Sequence, residues 1–264
     1  MATPLRHCRP LTYYAIRTLA MVGASVYSGA ALAWPAIELE AVLDNTLYES
    51  EMDMPPDQNE LSNGQGIFLF AGRTGLDGGF RLRRAVVQFD LSVLPPGSEI
   101  LSAEVVLYHS RAAPGSPPSL MSLHRLVQEW GEGDSDAPGP EGQGAFAEPG
   151  DATWFHNTYA TELWESPGGD FLVPASAFTV VGADVGDQVW ACTQGLLEDL
   201  NLWLRDSSQN FGWLLTGFED GGMNAHRFHS RENLEVDTRP RLRLVYRTPD
   251  DLSSDSFETP SACN

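Results

Sequence analysis

Short runs of alternating apolar and polar residues, closed off by glycine and proline, govern what this chain can fold into. Ala85, Val87, Phe89 and Leu91 alternate with Arg84, Val86, Gln88 and Asp90. Ile37, Leu39, Ala41 and Leu43 repeat the pattern, as do Leu101, Ala103, Val105 and Leu107, then Met121, Leu123 and Val127. A period of two sends successive side chains to opposite faces, so each run reads as a half-buried β-strand. Shorter apolar runs at 67–71, 178–181, 189–192, 211–217, 226–230 and 242–246 bring the total to about ten strands. One segment breaks the pattern: Leu196, Leu197, Leu200 and Leu204 recur at helical spacing, which predicts a short amphipathic helix over Gln194–Arg205. The expected fold is all-β, a two-sheet antiparallel β-sandwich of jelly-roll type with one short helix, spanning residues 34–247.

The flanks read differently. Arg6, Arg9 and Arg17 precede an apolar run from Leu19 to Val26, and Ala31-Leu32-Ala33 has the small-x-small form of a cleavage site. Residues 1–33 are therefore expected to be a secretory signal peptide, the run being short for a membrane span. That would place the protein outside the cell, in a periplasm or at the cell surface. No later segment is long and apolar enough for a span. Residues 248–264 are polar and acidic and are expected to form a mobile tail.

Charge narrows the partners. The chain carries 36 acidic and 16 basic residues, net −20, and every basic residue is arginine. Loss of the signal would remove three arginines and no acid, leaving 13 basic residues against 36 acids. Nucleic acid is excluded as a general partner, because phosphate contact needs a basic face. The lack of lysine excludes Schiff-base chemistry. Cys8 lies in the signal, leaving Cys192 and Cys263. In an exported chain they either form one disulfide or remain a buried thiol and a tail thiol.

An ordered series of motifs completes the reading. It runs Arg83-Arg84-Ala85-Val86-Val87-Gln88-Phe89-Asp90-Leu91, Leu94-Pro95-Pro96-Gly97, Ser102-Ala103-Glu104-Val105-Val106-Leu107 and Trp130-Gly131-Glu132-Gly133-Asp134. Ala152-Thr153-Trp154 follows, then Trp164 with Pro167-Gly168-Gly169-Asp170-Phe171, and Asn210-Phe211-Gly212-Trp213-Leu214-Leu215. Phe228-His229-Ser230-Arg231-Glu232 and Arg239-Pro240-Arg241-Leu242 close it. Over residues 40–247 the series resembles the DNRLRE-domain proteins. The resemblance implies a secreted bacterial or archaeal β-sandwich of jelly-roll type. Some of its relatives are carbohydrate-binding modules that attach to acidic polysaccharides such as alginate.

The residues suggest where a ligand would bind. Alternation directs Arg241 and Arg243 outward opposite Leu242 and Leu244, and Arg227, His229 and Arg231 outward around Phe228. Arg84 is outward by the same rule. Guanidinium forks match carboxylates, so this stripe is the candidate site for a uronate-rich polysaccharide. The alternative is a solvated face that pairs with the protein's own acids. Trp154 and Trp164 bound the long loops and are candidate platforms for sugar rings, whereas Trp190, Trp203 and Trp213 read as core. Asp134, Asp136 and Glu141 begin like a calcium loop, with a structural Ca2+ as the expected ion and a solvated acidic loop as the alternative. No G-x-S-x-G elbow and no distinctive carboxylate pair occurs, so no catalytic residue is assigned. The expected function is non-catalytic polysaccharide binding. A structural or adhesive envelope protein that binds other proteins is the alternative, and a polysaccharide-degrading enzyme is the third reading.

Overall fold

The computed structural model describes residues 34–49, 60–252 and 263. The expected signal peptide and most of the acidic tail lie outside the described residues. In chain order the strands are β1 (Ala36–Tyr48), β2 (Leu61–Ser62), β3 (Phe68–Arg73), β4 (Leu82–Phe89), β5 (Glu99–Ala112), β6 (Ser119–Arg125) and β7 (Ala145–Phe146). They continue with β8 (His156–Thr158), β9 (Glu162–Leu163), β10 (Ala177–Val181) and β11 (Gly186–Trp190). Helix α1 (Gln194–Arg205) precedes β12 (Trp213–Thr216), β13 (His226–His229) and β14 (Arg241–Arg247).

Every ladder is antiparallel. The order β1-β14-β5-β13-β3-β4 closes on itself, because β4 also pairs with β1, giving a six-strand barrel. Strands β12, β6 and β10 extend the sheet from β4, and β11 adds to the other edge of β5. The all-β antiparallel expectation holds. The sheets are joined, however, through strands that serve two partners along their length. Strand β1 pairs with β14 up to Glu40 and with β4 from Ala41 onward, with a register shift between Ala41 and Leu43. Such a bulge inserts a residue and bends the strand. It also exchanges the faces beyond it. Ala41 lies in the main core, but Leu43 and Leu47 pack into a second apolar cluster. Simple alternation predicts instead that Leu43 shares the face of Ala41.

The main core runs through the barrel and under α1. Val87, Phe89, Leu107, Met121, Trp190, Trp213 and Phe228 meet Leu196, Leu200 and Trp203 of the helix. Thr193 caps α1, its hydroxyl accepting the Leu196 N–H at 3.1 Å. A cap of this kind is worth about 1 kcal/mol. The helix occupies the residues that its leucine spacing predicts.

The second cluster lies on the opposite face of β4 and β12, where alternation predicts solvent. Val86 and Leu214 are covered there by Trp130, Trp154 and Trp164 from the long loops. Each tryptophan offers on the order of 150–250 Å² to bury, which explains why loops rich in glycine and acid fold back onto a sheet. Because both faces of β12 are buried, its sequence reads as an unbroken apolar run. Cys192 and Cys263 are joined by a disulfide with Cα atoms 5.2 Å apart, which ties Cys263 to the segment that follows β11. Among the described residues, no helix is long and apolar enough to cross a membrane.

Candidate functional site

Of the expected basic stripe, Arg243 is exposed and Arg231, Arg241 and Arg84 are partly covered, and the charges of these four are taken. On β14, Arg243 stands opposite Glu38 of β1 and Glu104 of β5, and its Nε donates to Glu38 at 2.7 Å. Arg241 donates to both carboxylate oxygens of Asp187 at 2.7 Å. Arg231 makes a two-pronged contact with Glu132, at 2.6 and 2.8 Å, and this bond pushes its guanidinium further into the charged form. Arg84 grips Glu219 through Nε and NH2, both at 2.8 Å, and donates to the Gly168 carbonyl at 2.7 Å. A Cβ on Gly168 would come within 2.5 Å of that guanidinium, and its φ of +90° favours glycine in any case. Pairing within the protein therefore accounts for four of the arginines assigned to the ligand.

The other assignments separate as well. Trp154 and Trp164 are buried in the second cluster; the Trp164 Nε1–H donates to the Thr153 carbonyl, and the Arg84 guanidinium lies over the Trp154 ring. Neither ring is free to stack on a sugar. Asp134 and Asp136 are exposed, whereas Glu141 is buried and turned away. Its carboxylate accepts from Asn63 Nδ2 at 2.9 Å and from the Phe68 N–H at 3.0 Å. The three do not gather around one point. His229 is wedged between Phe68 and Tyr108 and largely covered by them, with its Nδ1 bound to the Thr238 hydroxyl. Burial holds its pKa below the usual histidine value.

Arg227 is the exception in the stripe. It lines a groove of about 630 Å³ with Arg83 and Arg111. Among the described residues no carboxylate lies within ion-pair distance of these three arginines. Arg227 stacks on Phe68 with its guanidinium carbon 3.7 Å from the ring centroid, and its Nε donates to the Ser110 hydroxyl at 3.0 Å. Arg111 is its direct cross-strand partner. Burial and then the Arg111 charge lower the Arg227 pKa. Arg83 is 3% exposed, lies over the Tyr48 ring at 4.7 Å, and its Nε has no partner among the described residues. Burial pushes it down to about 10, which leaves it charged at neutral pH. The groove walls are apolar, with Phe70, Leu76, Ala112, Pro114 and Met223, and Asp77 is the single acid among the described lining residues.

A histidine pair adds an acceptor. His109 Nδ1 lies 2.7 Å from the Asp184 carbonyl, which can only accept, so this nitrogen carries the proton. His109 Nε2 must then accept from His226 Nδ1 at 3.1 Å. That leaves His226 Nε2 as a buried lone pair with no partner, on a residue that lines the groove. Burial, reinforced by His109, pushes His226 down to about 4, so the ring is neutral.

The stripe reading misses Arg83 and Arg111. Arg83 has a legible signal: it continues the inward face of Ala85, Val87 and Phe89 by one position, a charge on a core face. The pairing of Arg111 with Arg227 depends on register between distant strands and leaves no local trace. No protein-family model matches this chain, and no curated protein matches it.

Proposed function

We propose that this is an exported, non-catalytic protein that binds an acidic polysaccharide, with its site in the groove of Arg83, Arg111 and Arg227. The observation that carries the reading is selective pairing. In a protein of net charge −20, most of the described arginines are neutralised by neighbouring acids, yet these three share one groove with no carboxylate partner among the described residues. A uronate would supply that carboxylate, and the guanidinium fork fits it in two-pronged geometry. The apolar C–H faces of the ring would lie against Phe70 and Met223. The groove volume is within the range of small-ligand sites, about 300–1,000 Å³. The resemblance to the DNRLRE-domain proteins supports the same class of ligand and the jelly-roll form of sandwich.

Titration with oligouronates by calorimetry tests this reading. Binding should occur in the wild type, be lost in the Arg111→Ala, Arg227→Ala variant, and leave the oligosaccharide uncut. A neutral oligosaccharide of the same length should bind far more weakly.

One feature favours the envelope-protein alternative. Strand β10 ends the sheet order, and its Phe178 and Val180 are 63% and 62% exposed beside the half-exposed Leu120 of β6. An apolar sheet edge of this kind is a template for another polypeptide. Binding to envelope proteins that is lost on Phe178→Glu, together with no uronate binding, would favour that alternative.

A further inference from the structure

Three carboxylates outside the groove converge where β1, the loop after β6 and the turn after β13 meet. Asp44, Glu132 and Glu232 each present an oxygen, and these oxygens lie within 4.8 Å of one another. Arg231 is the cation in contact with them. Its Nε and NH2 donate to Glu132, its Nε lies 2.9 Å from Glu232 Oε1, and its backbone N–H donates to Asp44 Oδ2 at 2.8 Å. With all three carboxylates ionised, three negative charges against one positive would leave an excess of two. Like charges this close repel strongly where water is scarce, so the excess calls for a counter-charge.

Two oxygens point to what supplies it. Asp44 is 1% exposed, its Oδ2 is occupied by Arg231, and its Oδ1 is buried with no hydrogen-bond partner among the described residues. Glu232 Oε2 is likewise buried and unpartnered. A buried carboxylate oxygen without a donor is costly, and a cation satisfies it without a proton. We infer that Asp44, Glu132 and Glu232 form a site for one hard divalent cation, with calcium the best match. All the donors are oxygen and no thiol or imidazole takes part, which excludes a soft-metal set. Calcium takes about six to eight oxygens, so water fills the remaining positions. Arg231 is a positioning residue that fixes the Glu132 carboxylate. The ion would staple three segments remote in sequence. It does not depend on the glycan reading, and it uses none of Asp134, Asp136 and Glu141.

The test uses the full exported chain, stripped with chelator and dialysed against radioactive calcium, alongside thermal melts. One ion per chain should bind with a dissociation constant at or below about 1 mM, the weak end of oxygen-ligated calcium modules. The melting temperature should rise with calcium, because the ion binds the folded state. Glu232→Gln should weaken binding by about tenfold or more with unchanged circular dichroism. Asp44→Asn should do the same; should it fail to fold, Glu232→Gln alone decides between the outcomes. Absence of bound calcium at about 1 mM, or unchanged affinity in Glu232→Gln, would overturn the assignment.

Discussion

Arg111 of β5 and Arg227 of β13 stand directly opposite each other across an antiparallel ladder, two like charges on neighbouring strands. Like charges in this position oppose sheet pairing. The aromatic face of Phe68 under Arg227 offsets part of that cost, since a cation over a ring is worth about 0.5–2 kcal/mol. The remainder is repulsion that an anionic ligand would relieve.

Reversing one charge should separate stability from binding. Arg111→Glu turns the repulsive pair into an attractive one, worth about 0.2–1 kcal/mol relative to a neutral pair. Its melting temperature is expected to rise while oligouronate binding disappears. A thermal melt and a titration on the same sample check both halves. A drop in melting temperature would contradict the view that the pair is repulsive.

The β14 arginines should behave in the opposite way. Arg241 and Arg243 are paired with Asp187 and Glu38 at the surface. Exposed pairs contribute about 0–1 kcal/mol each. Replacing both arginines by alanine should therefore leave oligouronate affinity unchanged and lower stability by no more than about 2 kcal/mol in chemical denaturation. Loss of binding in this variant would return the ligand to the stripe.

His226 makes stability fall in acid. Its folded value is pushed down to about 4 from 6.5. The unfolded chain therefore takes up the proton first as pH drops. The stability this group contributes is complete above about 6.5 and is lost as pH falls toward 4, on the order of 3 kcal/mol. His226→Asn keeps an N–H for His109 and removes the titration. Urea unfolding between pH 7 and pH 4 should show a shallower pH dependence in the variant; equal slopes would refute the assignment.

The disulfide should act on the unfolded chain. Cys192 and Cys263 are 71 residues apart in sequence. Closing a loop of that size is worth about 2–4 kcal/mol. Reduction, or the Cys192→Ser, Cys263→Ser variant, should lower the urea midpoint accordingly. Thiol titration of the unreduced, unfolded chain should find no free thiol.

What was legible in the sequence follows from range. The period-two runs and the leucine spacing of α1 are local, and the strands and helix lie where those patterns put them. The bulge in β1 is not local in that sense, because it reflects a change of partner from β14 to β4. Leu43 consequently lies on a different face from the one its spacing suggests. The outward direction of Arg241 and Arg243 was legible, but their neutralisation by Asp187 and Glu38 was not. That depends on register with strands remote in sequence. The same holds for the tryptophans. Trp154 and Trp164 lie in loops by any local reading, yet they cover Val86 and Leu214 because a sheet with two apolar faces needs two covers.

The most direct test of the groove as the binding site is calorimetric titration of the wild type and the Arg111→Ala, Arg227→Ala variant with an oligouronate at physiological salt. The wild type should bind, and the variant should fold to the same circular dichroism spectrum without measurable binding. Equal affinity in the two folded proteins would rule the groove out as the site.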